Sequence, residues 1–240
     1  MSWANAKRFF EASGVEFTDG GFAVTLDGKK INTLGGVPLI LPFENLASAV
    51  AAEWAAQGET IHPETMPLTG FCCSAIDTVA NGRTAIINQL VKYAESDLLC
   101  YRADESEDLQ NHQQTYWQPL LDWAVDTHGA RLCVTQGVVP VEQPPEAIAN
   151  LRIAVEGLDD FHLTALASVS QVAGSLIIGL CVIAGRLDAD AAFKASQLDE
   201  AWQSKKWGED SENAKRSAAL HEELRDAVRF LDLVRGEQGP

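Results

Sequence analysis

The spacing of apolar positions changes along this chain. Over the first forty residues they come in short runs between turn signals. Phe17-Thr-Asp-Gly-Gly-Phe22 reads as a turn. Ala23–Leu26, Asp27-Gly28 and Lys29–Ile31 read as a hairpin, because Asp-Gly supplies the positive-φ positions that a tight turn needs. Residues 37–41 predict a further strand, which Pro38 pushes towards an edge or its first position. A short helix is expected over residues 3–12. From Phe43 the period lengthens: Phe43, Leu46, Ala47, Val50 and Trp54 recur at helical spacing until Gly58. Trp54, at the far end of that stripe, is expected to plug the space between helix and strands. A small sheet under one helix makes a two-layer unit.

Pro63 and Pro67 mark a boundary near residues 60–67, and the chain then turns helical. Helices are expected at 69–80 and 84–96, broken at Asn81-Gly82, and at 109–127, which carries Trp117, Leu120, Leu121 and Trp123 and stops at Gly129. A short extended piece follows at 132–140. Further helices are expected at 145–156, 159–173, 175–184, 188–205 and 211–235. The fold class is therefore α+β: a small N-terminal two-layer domain with an antiparallel sheet (1–66), followed by a larger all-helical C-terminal domain (67–240).

Residues 163–185 carry no charge and are long enough to span a bilayer. Thr164, Ser168, Ser170, Gln171 and Ser175 interrupt the run, and Gly174-Ser175 breaks it. Two shorter buried helices and no stable membrane insertion are expected.

The formal net charge of −16 argues against nucleic acid, whose binding needs Lys and Arg to replace counterions. It argues equally against an anionic membrane surface. Residues 61–160 hold 15 acidic against 5 basic side chains, a field that would draw in a basic partner. Cys72, Cys73, Cys100, Cys133 and Cys181 have neither framework nor zinc spacing. They suit reduced thiols in a cytoplasmic setting. The N-terminus shows no long apolar run of a secretory signal.

Catalytic motifs are missing: no phosphate-binding glycine loop, nucleophile elbow or HExxH. His62, His112, His128, His162 and His221 stand singly, so no metal is expected. The acidic run 104–108 lacks the glycine and closing glutamate of a calcium loop and reads as a solvated helix start. The polar-aromatic stretch around His112 leaves one enzymatic alternative, a small-molecule hydrolase or lyase using His112 with nearby carboxylates. Gly174-Ser175 reads as close helix packing through small residues. Residues 198–210 put Trp202 and Trp207 among charges. Helical spacing places Leu198 and Trp202 on one face and turns Trp207 about half a turn away, so one tryptophan can plug a core while the other stays near the surface.

Several stretches occur in an order that resembles one family. They are Leu26-Asp-Gly-Lys-Lys, the segment 38–42, Ala52-Glu-Trp-Ala-Ala-Gln57, Met66-Pro-Leu-Thr69, Asp97-Leu-Leu-Cys-Tyr-Arg102, Trp117-Gln-Pro-Leu-Leu-Asp-Trp123, Gly174-Ser-Leu, and 198–210 with Trp207-Gly-Glu209. Together they resemble the assembly chaperones of the F1 sector of ATP synthase, specifically the chaperone of its α subunit, in a bacterial member. The resemblance implies no catalysis, no cofactor, and a partner in the unassembled F1 α subunit. It makes Glu200, Trp202, Trp207 and Glu209 the candidate client-binding residues, with Trp54 structural.

Overall fold

A computed structural model describes residues 6–104, 106–208 and 211–236. The chain divides into two units: one takes residues up to Arg83 with Asp160–Thr164 and those from Arg229 onwards, the other Thr84–Asp159 and Ala165–Val228. The fold is α+β, with an antiparallel sheet near the N-terminus and a mainly helical remainder.

In the first unit β2 (Gly21–Leu26) is the central strand. β1 (Ser13–Thr18) pairs antiparallel along one edge, while β3 (Lys29–Lys30) and β4 (Ile40–Leu41) pair antiparallel with the other. Asp27 (φ 48) and Gly28 (φ 74) make the tight turn expected of Asp-Gly. The Asp27 carboxylate accepts from the Glu11 and Ala12 amides, which holds its pKa below the usual carboxylate value. α1 (Glu44–Ala55) packs on β1 and β2, burying Leu46, Ala47, Val50 and Trp54. Trp54 is 0% exposed and meets Phe10 edge-on, with ring centroids 5.8 Å apart.

Residues 6–12 are not helical, which corrects the helix expected over 3–12. The Arg8 amide donates to the Glu59 carbonyl and the Ile61 amide to the Ala6 carbonyl, both at 2.9 Å. Strand-like pairing thus satisfies this backbone, and Phe10 is placed against Trp54. The first three residues of that expected helix lie outside the described residues.

α2 (Pro67–Cys73) is held to α1 by a buried carboxylate. Glu53 accepts from the Leu68 and Thr69 amides at 2.8 Å and from the Thr69 hydroxyl at 2.7 Å, satisfying donors that a helix start leaves open. Burial raises the Glu53 pKa and these bonds oppose the rise. A π-helical turn (Ser74–Val79) leads into α3 (Ala80–Glu95). α3 is kinked at Gly82 (φ −119, ψ 17), where the sequence placed a break.

After α3 come a 3-10 turn (Leu98–Cys100), β5 (Tyr101–Arg102), α4 (Glu107–His128), and β6 (Thr135–Gln136), which pairs parallel with β5. Then follow α5 (Pro145–Glu156), α6 (Asp160–Ala173), α7 (Leu176–Ile183), α8 (Ala189–Ser196), α9 (Leu198–Trp207) and α10 (Ser211–Arg235). The uncharged run divides into α6 and α7 as expected. Among the described residues no helix is long and apolar enough to cross a membrane.

Gly174 (φ 63) turns the chain between α6 and α7, and Ser175 caps α7 by accepting from the Ile178 amide at 3.0 Å. A Cβ on Gly174 would meet no atom of the described residues within 4 Å, which corrects the close helix packing expected there; the close approach is at Gly179, where a Cβ would overlap Ser170 and Leu166. Asp97, fully buried, accepts from the Ser175 hydroxyl at 2.7 Å and from the Leu99 and Ile177 amides at 3.1 Å. Desolvation pushes its pKa up to about 6 despite these bonds.

The single helix expected over 188–205 is two helices, α8 and α9, broken at Gln197 (φ −106, ψ 20). The cause is a competing donor. The buried Trp117 indole Nε1 donates to the Ala195 carbonyl at 2.8 Å, the carbonyl that the Asp199 amide would use in a continuous helix. The Ser196 hydroxyl meanwhile donates to the Phe193 carbonyl at 2.9 Å.

Candidate partner-binding surface

Three helices of the second unit shape one open, mainly apolar groove. α4 contributes His112 and Tyr116, α8 contributes Phe193 and Lys194, and α9 contributes Leu198, Ala201, Trp202 and Lys205. Its volume is about 310 Å³. The aromatic rings are ordered against one another. His112 sits 5.0 Å from the Trp202 ring at a tilt of 56°, and 6.4 Å from Tyr116. Phe193 stacks on His221 at 4.2 Å. Tyr116 is 58% exposed and Trp202 half-buried, so aromatic area remains open to a ligand.

Buried bonds beneath the groove fix its walls. α4 starts at Ser106, whose side chain accepts from the Leu109 amide, and ends at Gly129 in the left-handed region. Trp117 joins α4 to α8 through the Ala195 carbonyl. Gln113, fully buried, joins α4 to α9: its Nε2 donates to Asp199 Oδ1 at 2.8 Å, and its Oε1 accepts from the Ala103 amide at 2.9 Å. The Arg102 guanidinium lies over the Trp117 ring, 5.3 Å from its centre, and donates to Gln118 Oε1 at 3.4 Å. Its Nε and Nη1 have no hydrogen-bond partner among the described residues. Desolvation lowers the Arg102 pKa while Asp199 opposes that. Desolvation raises Asp199, opposed by the Gln113 hydrogen bond and the Arg102 charge. Buried Arg102 and half-buried Asp199 thus each offset part of the other's desolvation, with no direct ion pair between them.

The expected client-binding residues fall on different faces. At about 100° per residue, Leu198, Ala201, Trp202 and Lys205 share the groove side of α9, and Glu200 stands on the opposite side. Glu200 is exposed and does not line the groove. Trp202 is neither core plug nor free surface but forms part of a groove wall. Trp207 ends α9 with its side chain outside the described residues, and Glu209 also lies outside them. The His112 alternative finds this groove beside it. The His112 Nδ1–H donates to the Asp108 backbone carbonyl at 2.9 Å, and no carboxylate is among the described residues lining the groove.

Reading by sequence missed Tyr116, Phe193, Lys194 and Lys205. The signal was present: on α4, His112 and Tyr116 lie four apart, and on α9, Ala201 and Lys205 lie four apart, each pair on one face. That the faces meet depends on the bend at Gln197, which no spacing reveals.

The family described as ATP12 chaperone protein matches residues 7–125. The chain is similar to the crystal structure of Atp12 from Paracoccus denitrificans, at 44% identity and a TM-score of 0.92, covering 96% of this chain and 99% of that one. It is similar to the protein Atu1473 of Agrobacterium tumefaciens, at 36% identity and a TM-score of 0.89, covering 94% and 85%. Among curated proteins it is similar to protein atp12, mitochondrial, of Schizosaccharomyces pombe, 22% identical over 214 residues, 84% of this chain and 74% of that protein.

Proposed function

Because the chain belongs to the ATP12 chaperone family, we propose that it binds the unassembled α subunit of the F1 sector of ATP synthase and promotes F1 assembly. In this reading it acts in a bacterial cytoplasm, makes and breaks no bonds, and holds α until β takes its place. An unassembled subunit exposes an apolar interface that drives aggregation, and a reversible cover lowers that hazard.

The observation that carries the reading is the open aromatic groove with half-buried Trp202 at its wall. Exposed aromatics on a rigid frame are the usual anchors of a protein interface. The proposed contact surface is α9 with the segment after it: Trp202 on the groove side, Glu200 on the other, and Trp207 and Glu209 beyond. Glu200 and Glu209 would meet basic groups of the client.

Co-purification from the native cell at low and high salt tests this. F1 α should be retained by the wild-type protein, and less by Trp202→Ala at unchanged melting temperature. Passage of α without retention at either salt concentration would show the reading to be wrong.

A further inference from the structure

The groove side of α9 carries charge of the opposite sign to the molecule. The chain has a formal net charge of −16, yet among the described residues the ionisable ones that line the groove are His112, Lys194 and Lys205, with no carboxylate. Lys194 and Lys205 are exposed, and neither has a carboxylate within ion-pair distance among the described residues. Two acids on the same helices are engaged elsewhere. Asp199 accepts from Gln113 beneath the groove. Asp190, on α8, holds His221 at 2.8 Å and Arg225 at 3.2 Å. Two ammonium groups with no ion-pair partner among the described residues therefore stand at an aromatic slot of an acidic protein.

Resting on the proposed chaperone reading, we propose that this groove takes an amphipathic segment of the client whose apolar side chain enters between Trp202, Tyr116 and Phe193 and whose flanking carboxylates meet Lys194 and Lys205. The floor is apolar, so a bare anion gains little there, and an uncharged apolar side chain leaves both ammonium groups unused. The slot is matched by apolar and acidic chemistry together. α9 then addresses two kinds of client group: acidic ones on its groove side and basic ones opposite, around Glu200. A helix with opposed charge preferences selects the orientation of its client as well as its identity.

The test uses the intact protein and two synthetic fluorescein-labelled helical peptides with the same apolar face. One carries Glu at the flanking positions and the other carries Lys. The overall field of the chaperone attracts the Lys peptide, so a preference for the Glu peptide can come only from local chemistry. Anisotropy titrations should favour the Glu peptide by about fivefold, the scale expected of two exposed ion pairs. Lys194→Glu combined with Lys205→Glu should reverse the order, and Trp202→Ala should weaken both peptides. Equal binding, preference for the Lys peptide, no binding of either, or an unchanged order in the double variant would each overturn the proposal. Capture of F1 α separates this outcome from the function itself. If the wild type captures α and the double variant captures it equally well, the groove chemistry fails and the chaperone reading stands. If the wild type captures no α, the chaperone reading fails, and the peptide titrations still decide what the groove binds.

Discussion

Replacing Ser175 with alanine removes two interactions at once. The hydroxyl accepts from the Ile178 amide as the cap of α7 and donates to the buried Asp97 carboxylate at 2.7 Å. Loss of such a cap costs about 1 kcal/mol, and loss of a hydrogen bond to a buried charge about 1.5–3 kcal/mol. The two share one atom and do not add fully, so about 3 kcal/mol is expected. The pH dependence gives a second readout. Asp97 titrates at about 6 in the folded protein, above the 3.8 of an unperturbed group. The folded state therefore takes up this proton first, and acidification from pH 7 to 5 relieves roughly 1 kcal/mol of the burial penalty. Without the Ser175 hydroxyl the anion is held less well and Asp97 rises further. Ser175→Ala should then gain more on acidification than wild type, and the gap between them should narrow. Hydrogen exchange of the amides in residues 176–183, measured at pH 7 and 5.5, reads this locally. A loss below about 0.5 kcal/mol, the scale of an ordinary surface change, would refute the reasoning. So would a gap that widens on acidification.

Trp54→Arg puts a charge into a fully buried site between α1 and the sheet, and should cost more than about 4 kcal/mol and abolish soluble expression. Wild-type thermal stability in that variant would show the site to be open. Trp117→Phe keeps one aromatic ring but orphans the Ala195 carbonyl and leaves a gap where the rest of the indole packed, so urea unfolding should show a loss of at least roughly 1–3 kcal/mol. Burial pushes the Cys100 and Cys181 thiols up to about 12 and Cys72 well above its ordinary value. An aromatic disulfide reagent at pH 8 should therefore label the less buried Cys133 first, and mass spectrometry of the labelled peptide checks the order.

Local patterns read well because one physical cause dominates each. Asp27-Gly28 needs positive φ and receives it, and the stripe ending at Trp54 has only one face to bury. Gly174-Ser175 was recognised as a break, but its role as a cap became visible only with Asp97, 78 residues away in sequence. Residues 3–12 have helical composition, yet the described part pairs with residues 59–61, and a nonlocal strand pairing outweighs local propensity. The same holds at the groove. Trp202 was legible as a candidate because a large aromatic among charges is conspicuous. The other wall residues, Tyr116 and Phe193, belong to helices joined by bonds distant in sequence: Trp117 to the Ala195 carbonyl and Gln113 to Asp199. The stretches that carried the family resemblance turn out to touch one another: Asp97 with Ser175, Arg102 with Trp117, and Glu53 with Thr69. Most of them are therefore joints of the scaffold, and the surface they support had to be found in three dimensions.

Light scattering of purified, unassembled F1 α most directly tests whether this molecule works by lending a surface. Added at equal molar amount, the chaperone should suppress the aggregation of α, Trp202→Ala should suppress it less, and later addition of β should release α into a complex free of the chaperone. Aggregation of α at the same rate with and without the chaperone would contradict the account.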